Sequence, residues 1–533
     1  MIMDYLSLCL ICKDENDYLP EWLDYHILMG VDRFYIYDND SQVSLRESLA
    51  EYITRGWVVV MDIPGKAVQL FAYDHCLHTF GSNTFWMGFI DTDEFLVPKK
   101  TLNLKDLLKD YEKFGGLAVS SLFFGSNHHQ NRPPCGQIAG YTLRTHPSFQ
   151  RNGLIKCIVQ PGKTQMPNSP HDFIFKENAW CVNEKSLRVD FQMFPNSIDI
   201  IQLNHYFCRS ESEINQKLAR GRGDVGESWE RNRYQSVNAA ATIKDVSILQ
   251  DLQALFSSSG ATSIDFEGSS ESSTLLDEMA ELARTQIPSP IKLAPPQQII
   301  FSQEMVNLKH NQDLQKKAGA EGNYEELKRL ILINLEAAPQ RVILYVNLAV
   351  CHLELNDPGS AWQALSQAWQ LAENSFSVLI GMANFFLRVQ DFGMAEKTCY
   401  ILLDIAPNDL RVLGMMTDSL IGQGRHEEAL KIGIPLIEIS GTLGELPDGM
   451  DIYLIHKMAA YLEQKQDYPA LAHLWELGIK CKGDDLELVI KLIKVLLYQG
   501  DHHKARQWLI KAQQLAPHND EVMSLSEKVN HLP

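Results

Sequence analysis

The feature that most constrains the fold of this chain is a 34-residue spacing that recurs through its second half. From about residue 304 the hydrophobic pattern is helical, and small residues stand 34 positions apart, each four residues after a turn position. The small residues are Ala361, Ala395 and Ala429, and the turn positions are Asp357, Asp391 and Arg425. A small residue lets two helices pack closely, and neighbouring helix pairs bury one another's faces. The spacing therefore predicts an all-α solenoid over residues 304–533.

This pattern resembles the tetratricopeptide repeat, a helix–turn–helix unit of the same length. Asp467 and Asp501 form a second series with the same spacing, and Ala505 and Pro517 fall at the expected offsets in its last unit. The resemblance implies a concave surface that binds a peptide or protein. We therefore expect a protein partner, or the substrate of a linked enzyme, to bind through the repeats.

Composition excludes several classes of function. The chain has 533 residues, ten cysteines and a net charge of −19. Such an acidic chain does not suit general nucleic-acid binding, which needs clustered Lys and Arg. The cysteines form neither a disulfide framework nor a paired zinc site, as is typical of a reducing compartment. No apolar run is long enough for a membrane span, and the N-terminus lacks a signal-peptide pattern, so we expect a cytoplasmic protein.

The first half, residues 1–245, alternates strand and helix patterns. Strands are predicted over residues 5–12, 34–37 and 57–61, and helices over residues 19–29 and 45–54. This rhythm is typical of an α/β sheet with right-handed crossovers. Residues 246–303 are rich in Ser and Pro, which predicts a linker with short helices between two domains.

An acidic run ends a further strand-like segment, residues 86–90. If the strand continues, Asp91 and Asp93 share one face, because side chains two apart on a strand point the same way. Two converging carboxylates suit Mg²⁺ or Mn²⁺, which would bring the phosphates that the ion already binds. Polar clusters at residues 13–15 and 38–40 also follow strands. Since ligands bind beyond the carboxyl ends of such strands, we expect one shared site there.

These segments together resemble the glycosyltransferases of the GT-A fold, family 92 in particular. The matching segments are residues 13–26, 28–39, 91–95, 124–126, 203–206 and 217–224. The resemblance implies a Rossmann-like α/β domain that moves a sugar from a UDP- or GDP-sugar to an acceptor hydroxyl with Mn²⁺ or Mg²⁺. The expected architecture is this GT-A domain followed by the tetratricopeptide solenoid.

The resemblance also implies roles for particular residues. The expected metal ligands are Asp91, Asp93 and His205, with His171 as a second histidine candidate. The residues expected to bind the sugar donor are Lys13, Glu15, Asp38, Asp91, Arg220 and Arg222. Among these, Asp38 would contact the base or ribose, and the two arginines would clamp the diphosphate, since guanidinium groups bind phosphates in a bidentate manner.

Family 92 members resemble inverting enzymes, which need a carboxylate base to take the proton of the attacking hydroxyl. Asp172, Glu94 and Asp224 are the candidates, and Asp172 is preferred because it lies in the downstream half, where acceptors bind. We expect the acceptor to be a bacterial surface polysaccharide, a lipid-linked glycan or a protein.

Two other functions fit the same residues. One is a scaffold whose α/β half has lost activity and supports the repeats. The other is a metal-dependent nucleotidyl- or phosphotransferase that uses the same carboxylates. The presence of both Asp91 and Asp93 favours an enzyme, and the segments at residues 21–22 and 204–206 favour the glycosyltransferase.

Overall fold

The structure is a computed structural model that describes residues 3–220, 231–259, 273–291, 293, 299–443, 452–483 and 485–530. The chain divides into two compact units, Met1–Val378 and Leu379–Pro533. The first unit contains the α/β sheet and the first helices of the solenoid, and the second contains later helices. The boundaries predicted at residues 245 and 304 follow changes in composition, whereas these units follow contacts between residues.

The strands all lie in the first unit. They are β1 (Asp4–Cys12), β2 (Arg33–Asp38), β3 (Val58–Asp62), β4 (Thr84–Phe89), β5 (Glu94–Pro98), β6 (Gly116–Phe123), β7 (Leu143–Arg144), β8 (Ile155–Val159), β9 (Thr164–Pro167), β10 (Phe173–Phe175), β11 (Cys181–Val182), β12 (Arg188–Val189), β13 (Ile201–His205) and β14 (Ile243–Lys244).

Helices accompany the strands up to residue 285, and the elements described after it are helices. They are α1 (Leu19–Leu28), α2 (Leu45–Ser48), α3 (Ala50–Arg55), α4 (Gln69–Phe80), α5 (Leu104–Leu108), α6 (Gly136–Gly140), α7 (Glu211–Arg220), α8 (Arg231–Ala240), α9 (Ser247–Ser259), α10 (Ser273–Thr285), α11 (Gln303–Ala320), α12 (Tyr324–Ala337), α13 (Val342–Glu354), α14 (Pro358–Leu371), α15 (Phe376–Arg388), α16 (Phe392–Ile405), α17 (Leu410–Gly422), α18 (His426–Leu443), α19 (Ile452–Gln464), α20 (Tyr468–Lys482), α21 (Leu486–Gln499), α22 (His502–Leu515) and α23 (Asp520–Asn530).

The main sheet runs in the order β12-β11-β6-β8-β4-β1-β2-β3, with β13 paired to both β6 and β5. The neighbouring strands β4, β1, β2 and β3 are parallel to one another. Strand β8 lies between β4 and β6 and is antiparallel to both. Strand β13 is parallel to β6 and antiparallel to β5. The carboxyl ends of β1, β2, β4, β6 and β13 therefore meet at one edge, together with the starts of β5 and β8. The predicted α/β sheet is confirmed.

Helix α1 fixes the start of β5 at this edge. The indole nitrogen of Trp22 donates to the carbonyl of Glu94 at 2.9 Å, and the Tyr25 hydroxyl donates to the carbonyl of Leu96 at 2.9 Å. The backbone nitrogen of Leu96 donates to Nε2 of His26 at 3.3 Å. The helix ends where Gly30 adopts a φ of 94°, which a glycine tolerates without strain. The predicted helix over residues 19–29 thus clamps the strand that begins with the acidic run.

We expect the buried His26 to make the domain less stable in mild acid. Burial lowers the pKa of His26 to about 3, although its bond to the carbonyl of Trp22 opposes the shift. The unfolded chain takes up this proton near pH ~6.5 and the folded protein does not. The free energy of unfolding should therefore fall by up to about 1.4 kcal/mol per pH unit below that point.

Urea unfolding between pH 7 and pH 5 tests this expectation in the wild type and in His26→Gln. Glutamine keeps a polar side chain at this position but cannot take up the proton. The variant should start less stable, and its deficit should shrink as the pH falls. Parallel curves for the two proteins would show that His26 has no part in the pH dependence.

The Ser- and Pro-rich segment between the halves holds the two short helices α9 and α10, and both pack against the sheet domain. Leu252 and Phe256 of α9 and Met279 of α10 are buried in the same apolar core as helix α1. On each helix the buried residues recur every three to four positions and form one apolar face, which packs against the core. Residues 247–259 and 273–285 are therefore part of the sheet domain rather than a free connection.

The helices after residue 303 recur as predicted. In several pairs the turn residue caps the second helix by accepting a hydrogen bond from a backbone nitrogen three residues later. These pairs are Asp357 with Ser360, Asp391 with Met394, Asp467 with Ala470, and Asp501 with Lys504. The small residues Ala361, Ala395 and Ala429 have no exposed surface. The capping and the buried alanines confirm the repeat. No helix among the residues described has the length and apolar character needed to cross a membrane.

Candidate active site

Charged side chains collect at the edge where the strands end. Glu15 follows β1, Asp38 is the last residue of β2, and His205 is the last residue of β13. The acidic run connects β4 to β5, and Lys156 is the second residue of β8. The sheet topology therefore brings together residues that are far apart in sequence. It confirms that these strand ends lie at one edge of the sheet, and the shared site stays a prediction.

The acidic run is a tight turn and not the end of a strand. Strand β4 stops at Phe89, and the backbone nitrogen of Glu94 donates to the carbonyl of Asp91 at 3.0 Å. The Glu94 carboxylate in turn accepts from the backbone nitrogen of Asp91 at 2.8 Å. The expectation that Asp91 and Asp93 share a strand face is therefore wrong, because the turn breaks the alternation of side chains. Each aspartate instead meets its own lysine.

Lys156 is the buried counter-ion of this turn. Its ammonium lies 2.9 Å from Oδ2 of Asp91 and 3.3 Å from Oε2 of Glu94, and its side chain is 2% exposed. Burial alone would lower the pKa of Lys156, but the two carboxylates hold it well above the usual range. Burial raises the pKa of Glu94 to about 8 although Lys156 opposes the shift. Lys156 thus allows an acidic turn to be buried in the sheet.

Asp93 lies between Lys217 and His205. The Lys217 ammonium is 2.6 Å from Oδ2 of Asp93, and Nε2 of His205 is 3.8 Å from Oδ1. Burial alone would raise the pKa of Asp93, but Lys217, His205 and Arg209 hold it well below its usual range. Burial lowers the pKa of His205 to about 4. The imidazole is therefore neutral near pH 7, which is the form that binds metal ions.

A buried arginine connects the loop after β1 to the acidic turn. Nη1 of Arg209 donates to Glu15 at 2.7 Å, and its Nε donates to the side-chain oxygen of Gln137 at 3.0 Å. The side-chain nitrogen of Gln137 donates to the carbonyl of Thr92 at 3.1 Å. The guanidinium also lies 4.1 Å from the centre of the Tyr18 ring. Glu15 is therefore held by a cation, and this network fixes the backbone of the turn.

Of the other residues expected to bind the sugar donor, Asp38 and Lys13 lie at the same edge. The carboxylate of Asp38 accepts from the backbone nitrogen of Ser41 at 3.0 Å and so shapes the loop after β2. Lys13 is half-buried directly after β1. Arg220 is the last residue of α7, and Arg222 lies outside the residues that the structure describes. Their roles stay predictions.

Two of the base candidates have positions that do not support that role. Asp172 accepts hydrogen bonds from Asn168 and Ser169 of its own loop. It lines a cavity with Ile155 and Cys157, which alternate with Lys156 on β8, so it lies on the face away from the acidic turn. Glu94 is 1% exposed, with one carboxylate oxygen bound to backbone and lysine. Asp224 lies outside the described residues.

His171, the second histidine candidate, is tied to the same strand. Its Nδ1 lies 2.9 Å from the backbone carbonyl of Ile155. A ring nitrogen at this distance donates its proton to the carbonyl, so Nδ1 is not the nitrogen that would bind a metal ion, and the role of His171 stays a prediction. His205, which contacts Asp93 directly, is the histidine that the fold brings to the acidic turn.

The residue types suit a divalent cation, but the carboxylates already have lysine partners. Mn²⁺ and Mg²⁺ bind carboxylate oxygens and can also bind one imidazole nitrogen. Within the described ranges, no group of three or more acidic, His or Cys side chains is arranged to hold an ion. Instead, Lys156 contacts one oxygen of Asp91, and Lys217 contacts one oxygen of Asp93. One oxygen of Asp93 still faces His205.

Sequence reasoning missed the lysines and the arginine of this site. Lys156 is the single charged residue in the strand Ile155–Val159, and a lone lysine in a buried strand is a signal that could have found it. Lys217 stands in a segment that matched the family but was given no role. Arg209 carries no comparable signal, since its partner Glu15 lies 194 residues away in sequence.

Comparison with solved structures finds matches that cover about half of this chain or less. A Pseudomonas aeruginosa pilF structure covers 41% of this chain and 96% of its own, with 17% identity and a TM-score of 0.31. A tetratricopeptide repeat protein from Parabacteroides merdae covers 54% of this chain and 98% of its own, with 14% identity and a TM-score of 0.29. At these scores the repeat assignment depends on the spacing and capping of the helices themselves.

Comparison with sequence families identifies the first half. Residues 5–239 match the family model of glycosyltransferase family 92. A family 92 protein of Oryza sativa subsp. japonica is 30% identical over 184 residues, which are 33% of this chain and 31% of that protein. One of Ricinus communis is 24% identical over 233 residues, 43% of this chain and 40% of that protein. The chain thus spans well under half the length of these plant relatives. Residues 5–239 are a glycosyltransferase family 92 domain, and helical repeats of the tetratricopeptide type follow it in the same chain.

Proposed function

We propose that this domain transfers a sugar from a nucleotide-sugar donor to an acceptor hydroxyl, and that it uses Mn²⁺ or Mg²⁺. The observation that carries the proposal is the contact of Asp93 with His205, beside Asp91 in the same turn, at the carboxyl edge of a sheet that matches family 92. This edge is where α/β sheets bind nucleotides.

Asp93 and His205 would hold the cation, with Asp91 beside them in the same turn. Bound there, the ion would stabilise the negative charge that develops on the diphosphate leaving group. The loops that follow β1 and β2, with Glu15 and Asp38, would flank the nucleotide. Arg209 and Gln137 keep the turn in place for this purpose.

In the proposed reaction the bond between the anomeric carbon and the diphosphate oxygen breaks. The acceptor oxygen forms the new bond, its proton passes to a base, and a nucleoside diphosphate leaves. Transfer with inversion needs that base on the acceptor side. Since the positions of Asp172 and Glu94 do not support this role, Asp224 stays as the candidate to be tested.

We also propose that the repeats bind the acceptor or a protein partner. The second unit carries large aromatic side chains that face solvent, including Tyr400 at 53%, Tyr453 at 62% and Tyr498 at 76% exposure. Exposed tyrosines supply contact area with a hydrogen-bonding hydroxyl, which suits a glycan, a glycolipid head group or a peptide.

Thermal unfolding with a panel of UDP- and GDP-sugars, with and without Mn²⁺, tests the proposed activity class. A ligand that binds the folded protein alone should stabilise it by ~2.7 kcal/mol at a hundredfold excess over its Kd. We expect one sugar nucleotide to do so only when Mn²⁺ is present. The stabilisation should be lost in Asp93→Asn and kept in Asp106→Asn, because Asp106 on α5 has an exposed carboxylate that pairs with Lys109.

The panel also includes ATP and GTP. Stabilisation by a nucleoside triphosphate and by no sugar nucleotide would favour a nucleotidyl- or phosphotransferase. No stabilisation by any ligand, in a protein that also binds no Mn²⁺, would favour the inactive scaffold.

A further inference from the structure

The two lysines of the acidic turn are held in different ways. Lys156 stands on β8 between β4 and β6, contacts both Asp91 and Glu94, and is 2% exposed. Lys217 stands on α7. Over residues 211–219 of this helix, Ile214 is the one buried residue, and the others are partly or fully exposed. Its ammonium contacts Oδ2 of Asp93 at 2.6 Å and the carbonyl of Phe207 at 3.4 Å. Lys156 is thus built into the sheet, whereas Lys217 reaches the site from a surface helix.

The charges of the two aspartates are already matched in this structure. Asp91 pairs with Lys156 and Asp93 pairs with Lys217. A divalent cation that binds Asp93 would add two positive charges beside two ammonium groups, which repel it. One lysine must therefore withdraw. Lys156 is 2% exposed and contacts two carboxylates, whereas Lys217 is 12% exposed and contacts one, so Lys217 is the lysine that withdraws more easily.

If Lys217 leaves Asp93, the diphosphate of a bound sugar nucleotide can become its new partner. Its flexible four-carbon side chain carries a compact ammonium with three hydrogen-bond donors, which binds phosphate as a point charge. A diphosphate bound at the same cation would lie within reach of an ammonium that has just left Asp93. The negative charge of the diphosphate would then replace the charge that Lys217 loses.

We propose that Lys217 is an exchangeable counter-ion, which neutralises Asp93 in the metal-free enzyme and binds the diphosphate of the sugar donor when Asp93 binds the metal ion. This inference rests on the proposed function. It makes Lys217 a residue that binds the sugar donor, and it makes the cation and the nucleotide bind cooperatively, because Lys217 opposes the first and favours the second.

Titration of Mn²⁺ into the full chain, followed by the electron paramagnetic resonance signal of the free ion, tests the exchange. In Lys217→Met the Kd for Mn²⁺ alone should fall about tenfold, since the competing ammonium is gone. The Kd for a nucleoside diphosphate at saturating Mn²⁺ should rise about tenfold, since one phosphate contact is lost. Lys217→Arg should stay near the wild type in both measurements.

Exchange predicts that the substitution lowers the Kd for Mn²⁺ and raises the Kd for the nucleoside diphosphate. Lys105→Met is the matched control, because Lys105 pairs with Asp32 away from the acidic turn. Lys217→Gln serves as a second neutral variant if the methionine variant folds poorly. Loss of affinity for both ligands would mark a structural role for Lys217 and overturn the exchange, as would unchanged affinity for both.

The design separates this inference from the function on which it rests. If Mn²⁺ and a nucleoside diphosphate bind the wild type but the two affinities do not diverge in Lys217→Met, the exchange is wrong and the proposed function stands. If neither the wild type nor Lys217→Met binds Mn²⁺, the metal-dependent function itself is wrong, and the exchange is wrong with it.

Discussion

Replacing Asp93 with asparagine should reduce Mn²⁺-dependent cleavage of the sugar donor by about 10²–10³-fold, the range typical of losing one electrostatic stabiliser of a leaving group. The reason is geometric. Asp93 is the carboxylate that faces His205, and Lys217 and Arg209 lower its pKa so that it is ionised at every physiological pH. Asparagine keeps the shape of the side chain and removes the charge. The measurement is kcat/KM for release of nucleoside diphosphate.

The same substitution should destabilise the protein but leave it folded. The side chain of Lys217 is 12% exposed and stands on a surface helix, so its ammonium keeps some access to water when its partner is lost. We expect a loss of about 1.5–3 kcal/mol in the free energy of unfolding, the range for a hydrogen bond between charged groups. Asp106→Asn is the control and should keep full activity. Activity of Asp93→Asn within threefold of the wild type would remove Asp93 from the proposed site.

Asp93 should also contribute to stability in a pH-dependent way. Its folded pKa is lower than its unfolded value, so its contribution is present above pH ~3.9 and is lost as the pH falls towards the folded pKa. The contribution of Lys156 to stability depends on pH in the opposite direction, because the pKa of Lys156 is raised in the folded protein. Its contribution is present below pH ~10.4 and is lost only in stronger alkali.

Replacing Lys156 with methionine should lower the free energy of unfolding by about 3–5 kcal/mol, as is usual when one partner of a buried ion pair is removed. The loss leaves Asp91 and Glu94 side by side without a cation in a turn that is largely buried. Methionine is close to the length of the lysine stem, so the loss of packing is small. Denaturant unfolding of the two proteins measures the difference.

A second substitution identifies the cause of that loss. Asp91→Asn in the Lys156→Met background removes the carboxylate that Lys156 neutralised and should recover part of the stability, which a double-mutant cycle measures. Lys105→Met removes a more exposed ion pair and should cost about 0–1 kcal/mol. If Lys156→Met costs no more than this control, Lys156 is not the counter-ion that allows the turn to be buried.

The fold was largely predictable because its signals are local. Apolar runs marked β1, β2 and β3, and the spacing of Asp357 and Asp391 marked turn positions, where the structure places helix caps. Both kinds of signal lie within a few residues of the element that they specify. The helices α9 and α10 were predicted as short elements of a linker, and only tertiary contacts show that they belong to the core.

The site was less predictable because its contacts are distant in sequence. The carboxylates of the acidic turn were found from the sequence, but their orientation was not, since a turn replaced the expected strand. Lys156 is 65 residues from Asp91, and Lys217 is 124 residues from Asp93. No local pattern encodes such a pairing. Asp172 was preferred as a base from its position along the chain. That position does not reveal that its loop packs on the face of β8 that carries Ile155 and Cys157.

The identity of the products formed from a sugar nucleotide in the presence of Mn²⁺ tests the central claim most directly. Slow hydrolysis of the donor, separated by chromatography and identified by mass, should yield a nucleoside diphosphate and a free sugar, because a glycosyltransferase breaks the bond at the anomeric carbon. Asp93→Asn should form neither product at a comparable rate. A nucleoside monophosphate with a sugar 1-phosphate would contradict the account, since those products require cleavage between the two phosphates.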